Sequence, residues 1–155
     1  MKPSMGPTVI AAAVLALAPG VLPTSLSSAD PTQSGPITMR VSQLRSNDGQ
    51  VGCALYNEAR GFPTDPRAAL ESRFCPIEKS TSVCPFRPVP RGTYAVACFH
   101  DENKNGKLDT GLFGIPKEGV CASNGATGTM GPPSFRDAKF DTSGAPMEVP
   151  VRMKY

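Results

Sequence analysis

Thr93-Tyr94-Ala95-Val96-Ala97-Cys98-Phe99, followed at once by His100-Asp101-Glu102-Asn103-Lys104-Asn105-Gly106-Lys107-Leu108-Asp109, is the stretch on which the fold turns. The first seven residues form the most apolar strand pattern in the chain, rich in residue types that suit a pleated, buried surface. The strand delivers the chain's single histidine, His100, to the start of a tight polar loop. No helical period accompanies it. A buried strand ending in such a loop belongs to a sheet protein.

Working outward, Ile37 to Ser42 alternates apolar and polar residues, the period of a half-buried strand. Asn47-Asp48-Gly49 reads as a hairpin-type turn. Gln50 to Tyr56 carries Val51, Cys53 and Leu55 on one side and Gly52, Ala54 and Tyr56 on the other, as a central strand would. Arg67 to Ser72 reads as one helical turn. Short strands are expected near Arg73 to Ile77 and Thr81 to Phe86, around a polar loop, and Pro88 to Gly92 is a turn. Met147, Val149, Val151, Met153 and Tyr155 alternate with polar residues in a last strand, and Pro150, lacking an N–H, places it at a sheet edge. Between Asp101 and Pro133 no periodicity emerges, so this long glycine-rich segment is expected to be one functional loop. Seven phenylalanines (Phe62, Phe74, Phe86, Phe99, Phe113, Phe135 and Phe140) are spread along the chain as core residues would be. Together these features predict an all-β fold, a Greek-key β-sandwich of prealbumin-like or immunoglobulin-like type.

The loop itself has the first nine positions of an oxygen-ligand calcium loop, D-x-N-x-N-G-x-x-D. Alternate residues of a tight loop can turn their oxygens inward, so Asp101, Asn103 and Asn105 supply side-chain oxygens and Lys107 its backbone carbonyl. Asp109 binds directly or through water, and Gly106 stands where the turn favours a residue without a Cβ. The bidentate Glu expected at position twelve is replaced by Leu112, so the helix-loop-helix pattern fails. Glu102 and Glu118 are further oxygen sources. With few carboxylates and two lysines nearby, a Ca2+ site here would be weak, roughly 10⁻⁴ to 10⁻³ M. The same residues also suit a loop that caps its own backbone through Asx-turns. Both readings stand at this level.

The N-terminus has the form of a secretory signal. Lys2 precedes the apolar run Val9 to Ala18, which is too short for a membrane span, and Ser27-Ser28-Ala29 offers small residues for cleavage. The expected organisation is a signal peptide at residues 1–29, a short linker at 30–36 and one β-sandwich domain at 37–155. The chain would then be exported, to the periplasm or the exterior, with no transmembrane segment once the signal is removed. A net charge of +3 with scattered basic residues gives no case for nucleic acid. Of five cysteines, Cys75 and Cys84 flank a short polar loop and are the expected disulfide in an oxidising compartment. Cys53 and Cys98 fall in apolar strands and read as buried thiols. Cys121 completes the odd count.

Arg91-Gly92-Thr93-Tyr94-Ala95-Val96, the His100 to Asp109 loop, Gly114-Ile115-Pro116-Lys117-Glu118-Gly119, Ser123-Asn124 and Pro132-Pro133-Ser134-Phe135 resemble the bacterial domain-of-unknown-function 2141 family. The resemblance runs from about Ile37 to Tyr155 and implies an exported bacterial protein with no assigned activity. The strand and loop are also similar, more loosely, to prealbumin-like and surface-protein B-type modules. The chain departs from the family pattern at Cys121, where glycine is expected, and in carrying Cys53 and Cys98.

Two functions follow. The first is a non-enzymatic exported sandwich whose loop face, Asp101 to Ser134, binds a small molecule, a glycan or an envelope protein, with Ca2+ ordering the loop. The second is a hydrolase with His100 as base, Asp101 or Glu118 as acidic partner and Ser123 or Ser134 as nucleophile. No G-x-S-x-G motif and no second histidine support the latter. A structural His100, pinning the loop to the end of its strand, is the expectation.

Overall fold

The computed structural model describes residues 34–155; the expected signal peptide at 1–29 and the first residues of the expected linker lie outside them. Among the described residues the strands are β1 (Ser34–Gly35), β2 (Ile37–Ser42), β3 (Gln50–Tyr56), β4 (Glu71–Cys75), β5 (Ile77–Glu78) and β6 (Thr81–Pro85). They continue as β7 (Val89–Pro90), β8 (Gly92–Asp101), β9 (Val120–Ala122), β10 (Phe140–Thr142) and β11 (Met147–Arg152), with one short helix, α1 (Phe135–Ala138).

Two sheets face each other. One has the order β10-β8-β3-β4, with β9 paired to β8 along the same edge as β10, and the other has the order β11-β2-β6-β5. A two-stranded ribbon of β1 and β7 lies apart from both. The fold is an all-β sandwich, as the strand periods required. Every strand pairing is antiparallel except that of β2 with β11, the first long strand and the last, which run parallel in register from Ile37–Met147 to Ser42–Arg152. Pro150 stands on an edge strand, where a missing donor breaks no ladder.

The alternation seen in the sequence is the alternation of burial. Ile37, Met39 and Val41 of β2 meet Val51 and Leu55 of β3, Val96 of β8, and Val149 and Val151 of β11 in one core between the sheets. At about 25 cal/mol per Å² of apolar surface removed from water, these branched side chains supply the main driving force for closing the sandwich. The outer faces of β3 and β8 are covered as well. Ala95, Ala122 and Ala138 form a second small core with Phe62 and Phe135 packed against it. Tyr56, fully buried, meets Phe62 edge-on and gives its hydroxyl to backbone oxygens of the 57–65 segment. That double coverage is why β3 lacks a polar face.

Several local expectations change. The Asn47-Asp48-Gly49 turn does not close a hairpin: β2 and β3 belong to different sheets, and the turn carries the chain between them. The helical turn is a 3-10 turn at Pro66–Ala68, capped by Asp65, and Glu71 and Ser72 already belong to β4. The segment from Asp101 to Pro133 is not structureless, since β9 adds to the edge of β8 and short 3-10 turns form at Leu112–Gly114 and Ser123–Gly125. Of the phenylalanines only Phe86 is fully in the core; Phe74 is half exposed and Phe113 is almost wholly exposed.

Two disulfides join the described cysteines. Cys75–Cys84 forms as expected and ties β4 of one sheet to β6 of the other. Cys53 and Cys98 are not free thiols but a second disulfide. They occupy directly opposed positions on β3 and β8, with Cα atoms 4.1 Å apart, so both sulfurs share the core face. Strand periodicity puts each on a buried face, and only the register puts them opposite each other. Cys121 on β9 lies opposite Cys98 on that strand's other side and remains a thiol. Burial pushes this thiol up to about 12.

Candidate functional site

The loop leaves β8 at its last residue, Asp101, which is fully buried and held on the far side by Gln50 of β3. Gly49 makes this junction possible. Its φ is +74°, and a Cβ there would collide with the Asp101 carbonyl and the Glu102 Cα. The turn between the two sheets therefore packs directly on the root of the loop.

Within the loop the side chains point inward at the spacing read from the sequence. The Asp101 carboxylate accepts the N–H groups of Asn105 (2.9 Å) and Gly106 (3.0 Å) and the Gln50 amide (2.8 Å). Asn103 Oδ1 accepts from Asn105 N–H and Asn105 Oδ1 from Lys107 N–H, both at 3.0 Å. The amide nitrogens of Asn103 and Asn105 donate to the two oxygens of Asp109, at 2.7 and 2.9 Å. Those two hydrogen bonds, the Asn105 one foremost, hold the Asp109 carboxyl below its ordinary range. Lys104 and Gly106 both have positive φ, and Gly106 at +79° fills the position that the sharp turn assigns to glycine. The Asx-turn reading is thus realised in full.

The four side chains Asp101, Asn103, Asn105 and Asp109 are brought together, and the Lys107 backbone lies on the same winding. Among the described residues no three His, Cys, Asp or Glu side chains form a metal-holding group. A cation here would draw on two carboxylates, two amide oxygens and a carbonyl. The donors now facing Asp109 are amide NH2 groups, and the matching amide oxygens accept the backbone N–H groups of Asn105 and Lys107. In kind these are hard-cation oxygens, but each side-chain oxygen now accepts an N–H group, so a cation would have to compete with those hydrogen bonds, and the low charge would make such a site weak.

Glu118 has a role the sequence did not disclose. Nearly buried, its carboxylate accepts the N–H of Glu102 and the N–H of Asp109, both at 2.9 Å. One side chain thus clasps the entry and the exit of the loop, and both its oxygens are engaged by backbone. The 16-residue spacing between Glu102 and Glu118 crosses a stretch without periodicity, so no sequence pattern pointed to it.

His100 is fully buried. Its Nε2 lies 2.8 Å from the Asp48 carbonyl, which can only accept, so Nε2 carries a proton. Its Nδ1 lies 2.7 Å from the Tyr155 hydroxyl, which accepts the Arg45 N–H and, with the ring neutral, donates to Nδ1. The Arg45 guanidinium stacks over the Tyr155 ring, 4.4 Å from its centroid, and pairs with Glu102 at 2.7 Å. That ion pair keeps the Glu102 carboxyl below its ordinary range. These contacts tie the Asn47–Gly49 turn and the last residue to the strand end, and of the loop's carboxylates Glu102 also comes near, 3.5 Å from Nδ1.

The hydrolase constellation is not assembled. Both ring nitrogens of His100 are engaged with Asp48 and Tyr155. Ser123 is fully buried, bonded to the backbone of Val96 and Ala138. Ser134 caps α1. A depression of about 440 Å³, lined by Asn47, Gly49, Gln50, Phe74 and Lys104 among others, opens beside the loop.

A two-sheet sandwich with a wound, clasped Asp/Asn loop at the end of its central strand defines the class of the protein. The chain belongs to the family described as "Uncharacterized protein conserved in bacteria (DUF2141)", whose model matches residues 39–150. No curated protein and no solved structure matches it.

Proposed function

We propose that the protein is an exported, non-catalytic β-sandwich whose Asp101 to Ser134 face binds a small-molecule, glycan or envelope-protein ligand. In this reading Ca2+ binds weakly at Asp101, Asn103, Asn105, the Lys107 carbonyl and Asp109 and stiffens that face. The observation that carries it is the convergence of four oxygen-bearing side chains in one loop, rooted on β8 and closed by Glu118. The neighbouring depression is lined mainly by polar surface, with Asn47, Gln50 and Lys104 around the half-exposed Phe74, and it lies at the root of the loop. Two disulfides favour an oxidising compartment. No helix among the described residues is long and apolar enough to cross a membrane.

Melting the purified protein in chelator and in several millimolar calcium tests the cation. A ligand that binds only the folded state stabilises it by RT ln(1 + [L]/Kd), so a 10⁻⁴ M site at 5 mM ion gives about 2 kcal/mol. The shift should vanish in Asp101→Asn together with Asp109→Asn. An unchanged melting point in both conditions removes calcium from the reading.

A further inference from the structure

Beyond the loop's oxygens lies a second feature that the proposed cation does not use. The chain from Thr110 to Pro116 forms a small hairpin, closed by a Thr110–Pro116 bridge and by Gly111 N–H to the Ile115 carbonyl at 2.7 Å. Its base is fixed to the acidic loop by Lys117 N–H to the Asp109 carbonyl at 2.9 Å. At its tip Leu112 is 82% exposed, Phe113 98% and Ile115 64%. Phe113 is held at φ +61°, a left-handed conformation that bulky residues rarely adopt. Such a backbone persists only where surrounding structure enforces it. The fold thus holds an aromatic ring away from its own core on a short, anchored projection.

The charges around the tip are sorted by sign. Lys104, Lys107 and Lys117 are exposed, and the Lys117 stem runs alongside Gly111. The acidic residues of the same segment are turned inward or paired. Asp101 and Glu118 are buried against backbone N–H groups, Asp109 faces the Asn103 and Asn105 amides, and Glu102 is bound to Arg45. What the projection presents outward is apolar at the end and positive at the root. That is the order of groups met on entering a lipid surface from water: anionic headgroups outside, acyl chains within. A protein partner fits less well. A stable protein interface buries about 1,200 to 2,000 Å², and three side chains on a convex tip fall far short of it.

We infer that the Leu112–Ile115 tip inserts into an anionic phospholipid surface, with Lys107 and Lys117 against the headgroups. Attachment through three side chains is reversible and comparable to a single acyl chain, on the order of 10⁴ M⁻¹. It does not depend on calcium.

The chain contains no tryptophan, so Phe113→Trp places a lone reporter at the tip while keeping an aromatic side chain there. Emission is recorded in chelator with vesicles of phosphatidylglycerol and phosphatidylcholine, then with phosphatidylcholine alone, using brominated acyl chains as quencher. Keeping chelator present throughout separates this result from the calcium reading. A blue shift and quenching with the anionic vesicles are expected, and little of either with phosphatidylcholine alone. Adding Lys107→Gln and Lys117→Gln should weaken binding about thirtyfold, each lysine near an anionic surface contributing roughly a fivefold factor. All these positions are exposed, so melting curves should match wild type and exclude misfolding. No response to anionic vesicles overturns the inference. So does an equal response to both vesicle types, or one indifferent to the lysines. A shift that appears without lipid, together with dimers in sedimentation, would assign the tip to a second copy of the chain and overturn it as well.

Discussion

Replacing Glu118 by alanine should open the acidic loop and destabilise the whole sandwich. The carboxylate is nearly buried and accepts two backbone N–H groups, from Glu102 and Asp109, at 2.9 Å each. A hydrogen bond to a charged group contributes roughly 1.5–3 kcal/mol, and the two together set an upper range near 3–6 kcal/mol. Because the loop lies at the surface, water can reach the freed N–H groups once it loosens, so the net loss should be about 3 kcal/mol. For a domain of this size that corresponds to a fall of about 10 °C in Tm. Glu118→Gln should not rescue it fully, because its amide keeps one acceptor and turns an NH2 towards the other backbone donor. Glu148→Gln, which breaks an exposed pair with Arg40, is the control and should leave Tm nearly unchanged. Thermal unfolding followed by circular dichroism gives the magnitude, and amide hydrogen exchange at Glu102 and Asp109 gives the place. If Glu118→Ala melts within about 2 °C of wild type, or if those two amides keep their protection, the clasp is not what closes the loop.

His100→Ala should cost about 1–3 kcal/mol by stranding the Asp48 carbonyl and the Tyr155 hydroxyl, and His100→Asn or Gln should recover part of it; wild-type melting of the alanine variant would contradict a structural histidine. Peptide mapping without reductant should find Cys75–Cys84, Cys53–Cys98 and one thiol, and in Cys53→Ser it should find Cys98 bonded to Cys121, its register partner on the other side. Free Cys98 in that variant would show that the three sulfurs do not share a face. The native Cys121 thiol, pushed up to about 12 by burial, should resist alkylation near neutral pH until the protein is unfolded. Acid should destabilise the fold through Glu71, Glu102 and Asp109. Burial works to raise Glu71, but the Arg87 N–H and the Arg73 guanidinium outweigh it, and all three carboxyls are lowered in the folded state. Their contribution is therefore complete above the ordinary carboxylate range and is lost as pH falls through the depressed folded values. Urea melts at pH 7, 5 and 3 should show most of the loss below about pH 4.5, and Glu71→Gln should flatten that dependence.

The sheet character of the chain was legible because burial on one face leaves a two-residue period. Ile37 to Ser42 and Met147 to Arg152 were readable for that reason, and Pro150 correctly marked an edge. The Asn47-Asp48-Gly49 turn misled because a tight turn has the same local chemistry whether the next strand pairs with the last or crosses to the facing sheet. The Cys53–Cys98 bond was invisible for a related reason: each cysteine announces a buried face, and only the register between β3 and β8 makes them neighbours. In the loop, Asp101 to Asp109 interact within a few residues of one another, so spacing alone revealed their convergence. Glu118 acts from outside that window and from a segment with no period. Phe113 is hydrophobic enough to read as a core residue, yet the structure turns it out to solvent.

The parallel union of β2 with β11 sets a timetable for the chain. Ser42 and Val151, which share a hydrogen bond, are 109 residues apart, and few contacts inside one sheet could be more remote in sequence. Loop closure over such a distance must be met before the contact stabilises anything, which makes folding slow. A polypeptide threaded N-terminus first through a narrow pore cannot complete its second sheet until its final strand emerges. Residues 37–42 would wait, unpaired on that side, through the whole passage. The topology thus leaves the second sheet open until the last strand has been supplied, wherever the chain folds.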